Sequence, residues 1–257
     1  KLPTTYLCGV NCPANPGAWQ LHGAFHKELR KGCKWQEDGA VAQQQAPEAA
    51  ERQARTAART GDEYEELLAE AARYASKWDW RKAARACRQA IALRPDKPMA
   101  YLNLGVMLTN SGHGVEAAQR YLEAKERLPV GSKKWAEATA EAFEMLRSKA
   151  CDEVAKPEWW NDEGLKALSA RVVRAAPNHE TAHGMRAEVL SGRMAPTEAL
   201  MAEALMAAAP ADLKEAAACY DRAAALCITP AKSASYASSA VLFRDLAEVM
   251  NSCMHFG

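Results

Sequence analysis

Two cysteines, Cys8 and Cys12, precede two histidines, His22 and His26, and all four fall within nineteen residues. Thiolate sulfur and neutral imidazole nitrogen are the ligands of a tetrahedral zinc ion. "YLCGVNCP" reads as a short strand and knuckle, "ANPG" as a turn, and "AWQLHGAFHKELRK" as a helix from about Ala18. On that helix His22 and His26, four residues apart, share a face. A knuckle with two thiolates opposite a helix with two imidazoles suits zinc, in a stretch too small to fold on its own core. Two other readings stand beside it: the histidines simply pack and the cysteines are incidental, or Cys8 and Cys12 form a disulfide. A zinc here would be structural, because His22-Gly-Ala-Phe-His26 lacks the glutamate that follows the first histidine of a metalloprotease helix. Cys33, seven residues after His26, is a spare candidate ligand.

Tyr6 before Cys8, and Trp19 three residues before His22, make this segment resemble the second half of a MYND-type zinc finger. That family ends in His-x3-Cys; here the first half is missing and the last ligand implied is His26. The same helix displays Lys27, Arg30, Lys31 and Lys34, diluted by Glu28, Glu37 and Asp38. These cations form either a phosphate-contacting stripe, as a nucleic-acid-associated adaptor would use, or a solvated face. One small module with a handful of phosphate contacts binds weakly at physiological salt.

The rest of the chain offers little catalytic vocabulary. It has no Gly-rich phosphate loop, no nucleophile elbow and no carboxylate pair in a recognisable setting, so an enzyme is not expected. Thirty-three basic against 32 acidic residues leave a net charge of +1, without a long-range field for nucleic acid or an anionic membrane. No apolar run approaches the length of a membrane span. Cys87, Cys151, Cys219, Cys227 and Cys253 lie scattered in alanine-rich helical sequence, unlike a disulfide framework. An intracellular protein, cytoplasmic or nuclear, is expected. The chain opens at Lys1 without a leader or initiator Met, as a fragment or a processed form would.

What positions any site is a repeat. In "EYEELLAEAARYASKWDWRKAARACRQAIALRPD" the marked positions are Ala71, Tyr74, Ala83, Ala90 and Pro95. Thirty-four residues on stand Gly105, Leu108, Ala117, Ala124 and Pro129, with Leu67 answered by Tyr101 and Cys87 by Tyr121. Small residues let two helix axes approach to roughly 8–10 Å. Ala83/Ala90 and Ala117/Ala124 leave holes for Tyr74 and Leu108, and the prolines end each second helix. Two helices per 34 residues resemble the tetratricopeptide repeat. The resemblance implies an all-α, right-handed solenoid of about four repeats plus a terminal capping helix.

The expected organisation is a head over 1–35, a polar helical spacer over 36–61, and an array over 62–257. Within the array the repeats span 62–97, 98–131, 132–179 and 180–230, the last two enlarged by insertions, before a capping helix over 231–257. The first insertion, "AKPEWWND", interrupts helices near 133–154 and 162–176; Trp159 and Trp160 are either an exposed anchor or packed rings. The second carries Leu200, Met201, Leu205 and Met206 at helical spacing and reads as a lid on its own repeat.

By the family's geometry, first helices line a groove. This places Leu68 and Ala72, then Met99, Leu102, Asn103 and Val106, then Lys133, Ala136, Glu137 and Phe143 on its wall. Of the residues with which some members clamp chaperone tails, only Asn103 and Lys133 have counterparts. A mixed apolar and polar wall suits an extended peptide or an amphipathic helix. The expected function is therefore a protein-interaction scaffold.

Overall fold

The computed structural model describes Arg52 and residues 63–152, 154–192 and 208–254. Among them the regular structure is helical and no strand occurs. Nine α-helices follow in order: α1 Glu63–Ala75, α2 Trp80–Leu93, α3 Pro98–Asn110, α4 Gly114–Arg127, α5 Lys133–Leu146, α6 Asp162–Ala175, α7 Glu180–Leu190, α8 Pro210–Leu226 and α9 Pro230–Met254. A 3-10 turn, Lys149–Cys151, separates α5 from α6. The head, the spacer apart from Arg52, and residues 193–207 of the second insertion lie outside the described residues.

The chain divides into two compact units. In the first, α1 and α2 pack together, and Val106–His113, the end of α3 and the turn after it, belongs with them. Ala69, Ala71, Ala83, Ala86, Cys87 and Ala90 are buried there, with Tyr64 the one large ring in the core of the pair. Asp79 caps α2, its carboxylate accepting from the Lys82 amide at 3.1 Å. Tyr74 is only half-buried, whereas its counterpart Leu108 is buried at 2% exposure.

The 34-residue offset recurs in the backbone. The Asp79 amide donates to the Tyr74 carbonyl at 3.0 Å, and His113 donates to Leu108 at 2.9 Å. At the ends of second helices Arg94 donates to Ala90, Leu128 to Ala124 and Ala176 to Val172. The turn needs a left-handed residue, supplied by Gly112 at φ 80° but by Trp78 at φ 61° in the first repeat. Glycine adopts that conformation freely; tryptophan does so at a cost.

In the second unit each helix packs on its chain neighbours: α5 on α4 and α6, α7 on α6 and α8, α9 on α8. α5 also packs on α7, its counterpart in the next pair. Gly105 is buried where α3 meets α4, and a methyl group there would lie 2.6 Å from the Tyr121 ring. The same small-against-large arrangement returns as Ala187 with Tyr220, in a core shared with Leu213, Ala217, Ala240, Phe243 and Ala247.

The helix expected near 133–154 stops at Leu146. Ser148 is extended, with φ −74° and ψ 145°, and its hydroxyl donates to the Met145 carbonyl at 2.7 Å. The Lys156 ammonium then satisfies the carbonyls of Leu146 and Cys151, which a continued helix would have occupied. Trp159 and Trp160 pack against the buried cluster of Ala118, Leu146 and Cys151. Of the two readings of this pair, the packed one holds.

Candidate binding surface

The residues expected to line a groove fall into both units. In the first, Leu68 on α1 is half-buried and Val106 is 37% exposed. In the second, Met99 and Asn103 are half-buried, and the Lys133 side chain is 71% exposed. Three residues are corrected. Leu102 is 5% exposed, and Ala136 and Phe143 are fully buried, so none of them offers area to a partner. α3 is apolar on nearly every side, with Ala100, Tyr101, Leu104, Met107 and Leu108 buried as well, and such a helix is enclosed rather than amphipathic. Phe143 is covered by the Trp160 ring, 5.4 Å away between centroids, which arrives from the insertion.

The polar arc of α5 runs through Lys133, Lys134, Glu137, Glu141 and Glu144. The three glutamates, spaced four and three residues apart, share one face. Lys134 pairs with Glu137 at 2.6 Å, and Lys133 reaches the same carboxylate at 3.9 Å. At the far end Arg147 contacts Glu144 at 3.4 Å and Glu188 of α7 at 2.6 Å. Between these pairs sits Glu141, with His179 3.9 Å away and the Thr181 hydroxyl donating to it. A parallel seam joins α7 to α9: Lys232 meets Glu180 at 2.7 Å and lies 5.5 Å from the centre of the Tyr236 ring.

Burial sets the protonation of this seam. It raises the Glu141 pKa, and the neighbouring Glu144 and Glu180 push the same way against the Thr181 hydrogen bond and Lys232. Burial lowers that of His179, with Glu137 and Glu180 opposing. Burial also works against the charged forms of Arg147 and Lys232, yet Glu188 and Glu144 hold the first charged, and Glu180 the second. The arrangement is chemically a set of side-chain ion pairs along α5 and α7, three glutamates between the lysines Lys133 and Lys134 and Arg147, able to exchange ion pairs with a partner.

Arg147, Glu180, Glu188 and Lys232 were not singled out from sequence. Their partners are up to 52 residues away along the chain, beyond any local pattern. The i, i+4, i+7 glutamates of α5 were the available signal. Cys87 and Cys151 are fully buried thiols and Cys219 is 8% exposed, as expected of small apolar residues. Burial pushes the Cys87 thiol up to about 12 and that of Cys219 to about 11, so both stay protonated and inert.

The cysteines and histidines of the head lie outside the described residues. Among the described residues no group of three or more potential ligands could hold a metal, and no helix is long and apolar enough to cross a membrane. No protein-family model matches the sequence, and a search of curated proteins finds no significant match.

Proposed function

We propose that this chain is a tetratricopeptide-type helical array acting as a protein-interaction scaffold rather than an enzyme. Its first helices take a peptide or amphipathic helix of a partner, and a zinc-stabilised head supplies a second contact. The observation that carries this reading is the recurrence of one hydrogen-bonded helix pair at a spacing of 34 residues, as in Asp79–Tyr74 and His113–Leu108. A repeat that propagates by stacking leaves side chains of successive first helices open to a ligand. Val106 and Lys133 are exposed on such helices, and Met99 and Asn103 are half-exposed.

The test is affinity capture with the full chain, comparing wild type with Val106→Asp and Lys133→Glu singly. Both positions are exposed, so circular dichroism should remain unchanged while specific partners are lost. Leu102→Asp is unsuitable because it would bury a carboxylate. Retention of every partner by both variants would remove the first helices from the binding surface.

A further inference from the structure

α9 runs for 25 residues, further than any other described helix, and packs through one side of itself. Ala240, Phe243 and Ala247 are buried in the core shared with α8, and Leu246 and Met250 pack against it. Lys232 and Tyr236 turn toward α7, where Lys232 meets Glu180 and the Tyr236 hydroxyl lies 3.0 Å from the place of a Gly184 methyl. The other side holds Val241, Leu242, Asp245, Glu248 and Val249, all exposed. A surface helix ordinarily turns polar residues to that side.

Nine large apolar side chains are exposed among the described residues; six stand singly on separate elements, and three are Val241, Leu242 and Val249, at 51%, 53% and 59%. Val241, Asp245 and Val249 follow at four-residue steps and form one row, with Leu242 beside it. Apolar residues scattered singly are normal, whereas a contiguous patch marks an interaction surface. Asp245 decides what can cover this one. Any body that shields Val241 and Val249 from water also shields the carboxylate between them, and a carboxylate buried without a cation is strongly unfavourable. Among the described residues no cation pairs with it: the neighbouring Arg244 is turned to Asp221, and Lys214 lines a hollow with Glu248. The covering body must therefore bring the cation.

We propose that the outward face of α9 docks an amphipathic helix of a protein partner that carries a basic residue among its apolar ones. Aliphatic side chains of that helix cover Val241, Leu242 and Val249, and a lysine or arginine between them meets Asp245. Asp245 then acts as the selector, because a helix with an acid or no charge at that place leaves the carboxylate unpaired. A second copy of this chain fits less well: a two-fold axis through the middle of the row sets Asp245 against Asp245. An anionic membrane sets phosphate against it. This surface shares no residue with the binding surface proposed above, so it stands or falls separately.

The experiment is fluorescence anisotropy on the full chain with two labelled helical peptides. One carries an arginine with leucines one turn to either side; the other has glutamate in place of the arginine. The arginine peptide should bind at least about tenfold more tightly than the glutamate peptide. Asp245→Lys should invert that order, which a residue with a merely structural role would not do. Val241→Ser with Leu242→Ser should weaken the arginine peptide at least about tenfold with helicity unchanged, since both side chains are exposed. No binding of the arginine peptide at about 100 µM protein, equal affinity for the two peptides, or an order that Asp245→Lys leaves as it was would overturn the proposal. Sedimentation of the full chain checks the other occupant: self-association abolished by Val241→Ser with Leu242→Ser would overturn it in favour of a second copy.

Discussion

At Gly105 a hydrogen stands where any other side chain would begin inside the Tyr121 ring, 2.6 and 2.7 Å from two of its carbons. One repeat earlier the corresponding pair is Ala71 and Cys87, both buried, with a smaller residue on the second helix where the first can carry a methyl group. Gly105→Ala should destabilise by about 1–3 kcal/mol through overpacking. In a Tyr121→Cys background the same change should be neutral or stabilising by up to about 1 kcal/mol, because alanine favours helix over glycine. A double-mutant cycle by urea denaturation measures this coupling, and additive effects would contradict it.

Glu141 makes a second residue-scale prediction. Its folded pKa is raised, so its contribution to stability is full below the ordinary carboxylate range and is lost as pH rises through the raised value. Glu141→Gln should accordingly raise the denaturation midpoint at pH 7 and lose that advantage near pH 4. His179 and His183 are depressed below their ordinary 6.5, so they stabilise above it and lose that contribution as pH falls through the window beneath. Midpoints measured across this range should fall on acidification from neutrality, less steeply in His183→Gln. A wild-type midpoint indifferent to pH over this range, or a His183→Gln profile as steep as that of wild type, would exclude His183 as a titrating element.

The element scale is where helix boundaries and the first insertion were decided. Asn161 accepts from the Gly164 amide at 2.9 Å and starts α6 where the sequence places it. The end of α5 was not legible, since "RSKACDEV" has no Gly or Pro to mark it. Lys156, ten residues beyond Leu146, supplies the stop from outside the helix. The insertion is held by Trp160 against Phe143, by Trp159 with its ring centre 5.7 Å from that of Trp160, and by Lys125 lying 5.6 Å from the Trp159 ring centre. Trp160→Ala should cost about 2–4 kcal/mol, toward the low end of a core aromatic because the residue is half-buried. Limited proteolysis should then cut between α5 and α6 while cleavage elsewhere is unchanged; unaltered resistance would mean the rings do not anchor the segment.

For the whole molecule, the proposed zinc head and the repeat array make separable claims. Metal analysis should give about one zinc per chain in wild type and a loss in Cys12→Ser, as a four-ligand site requires. Wild type free of metal would end the zinc reading while leaving the helices untouched.

The amino-acid pattern alone determined that the described residues are helical, that the first two helix pairs repeat at 34 residues, and that Pro95, Pro129, Pro177 and Pro230 punctuate the chain. Those features rest on contacts between residues near in sequence, so small residues, rings and prolines record them directly. Tertiary structure alone decided that Phe143 and Leu102 are core rather than surface, that Trp159 and Trp160 fold inward, and that Glu141 sits desolvated among like charges. Burial and protonation depend on which distant side chain arrives to exclude water, and no periodicity within one helix encodes the identity of that neighbour.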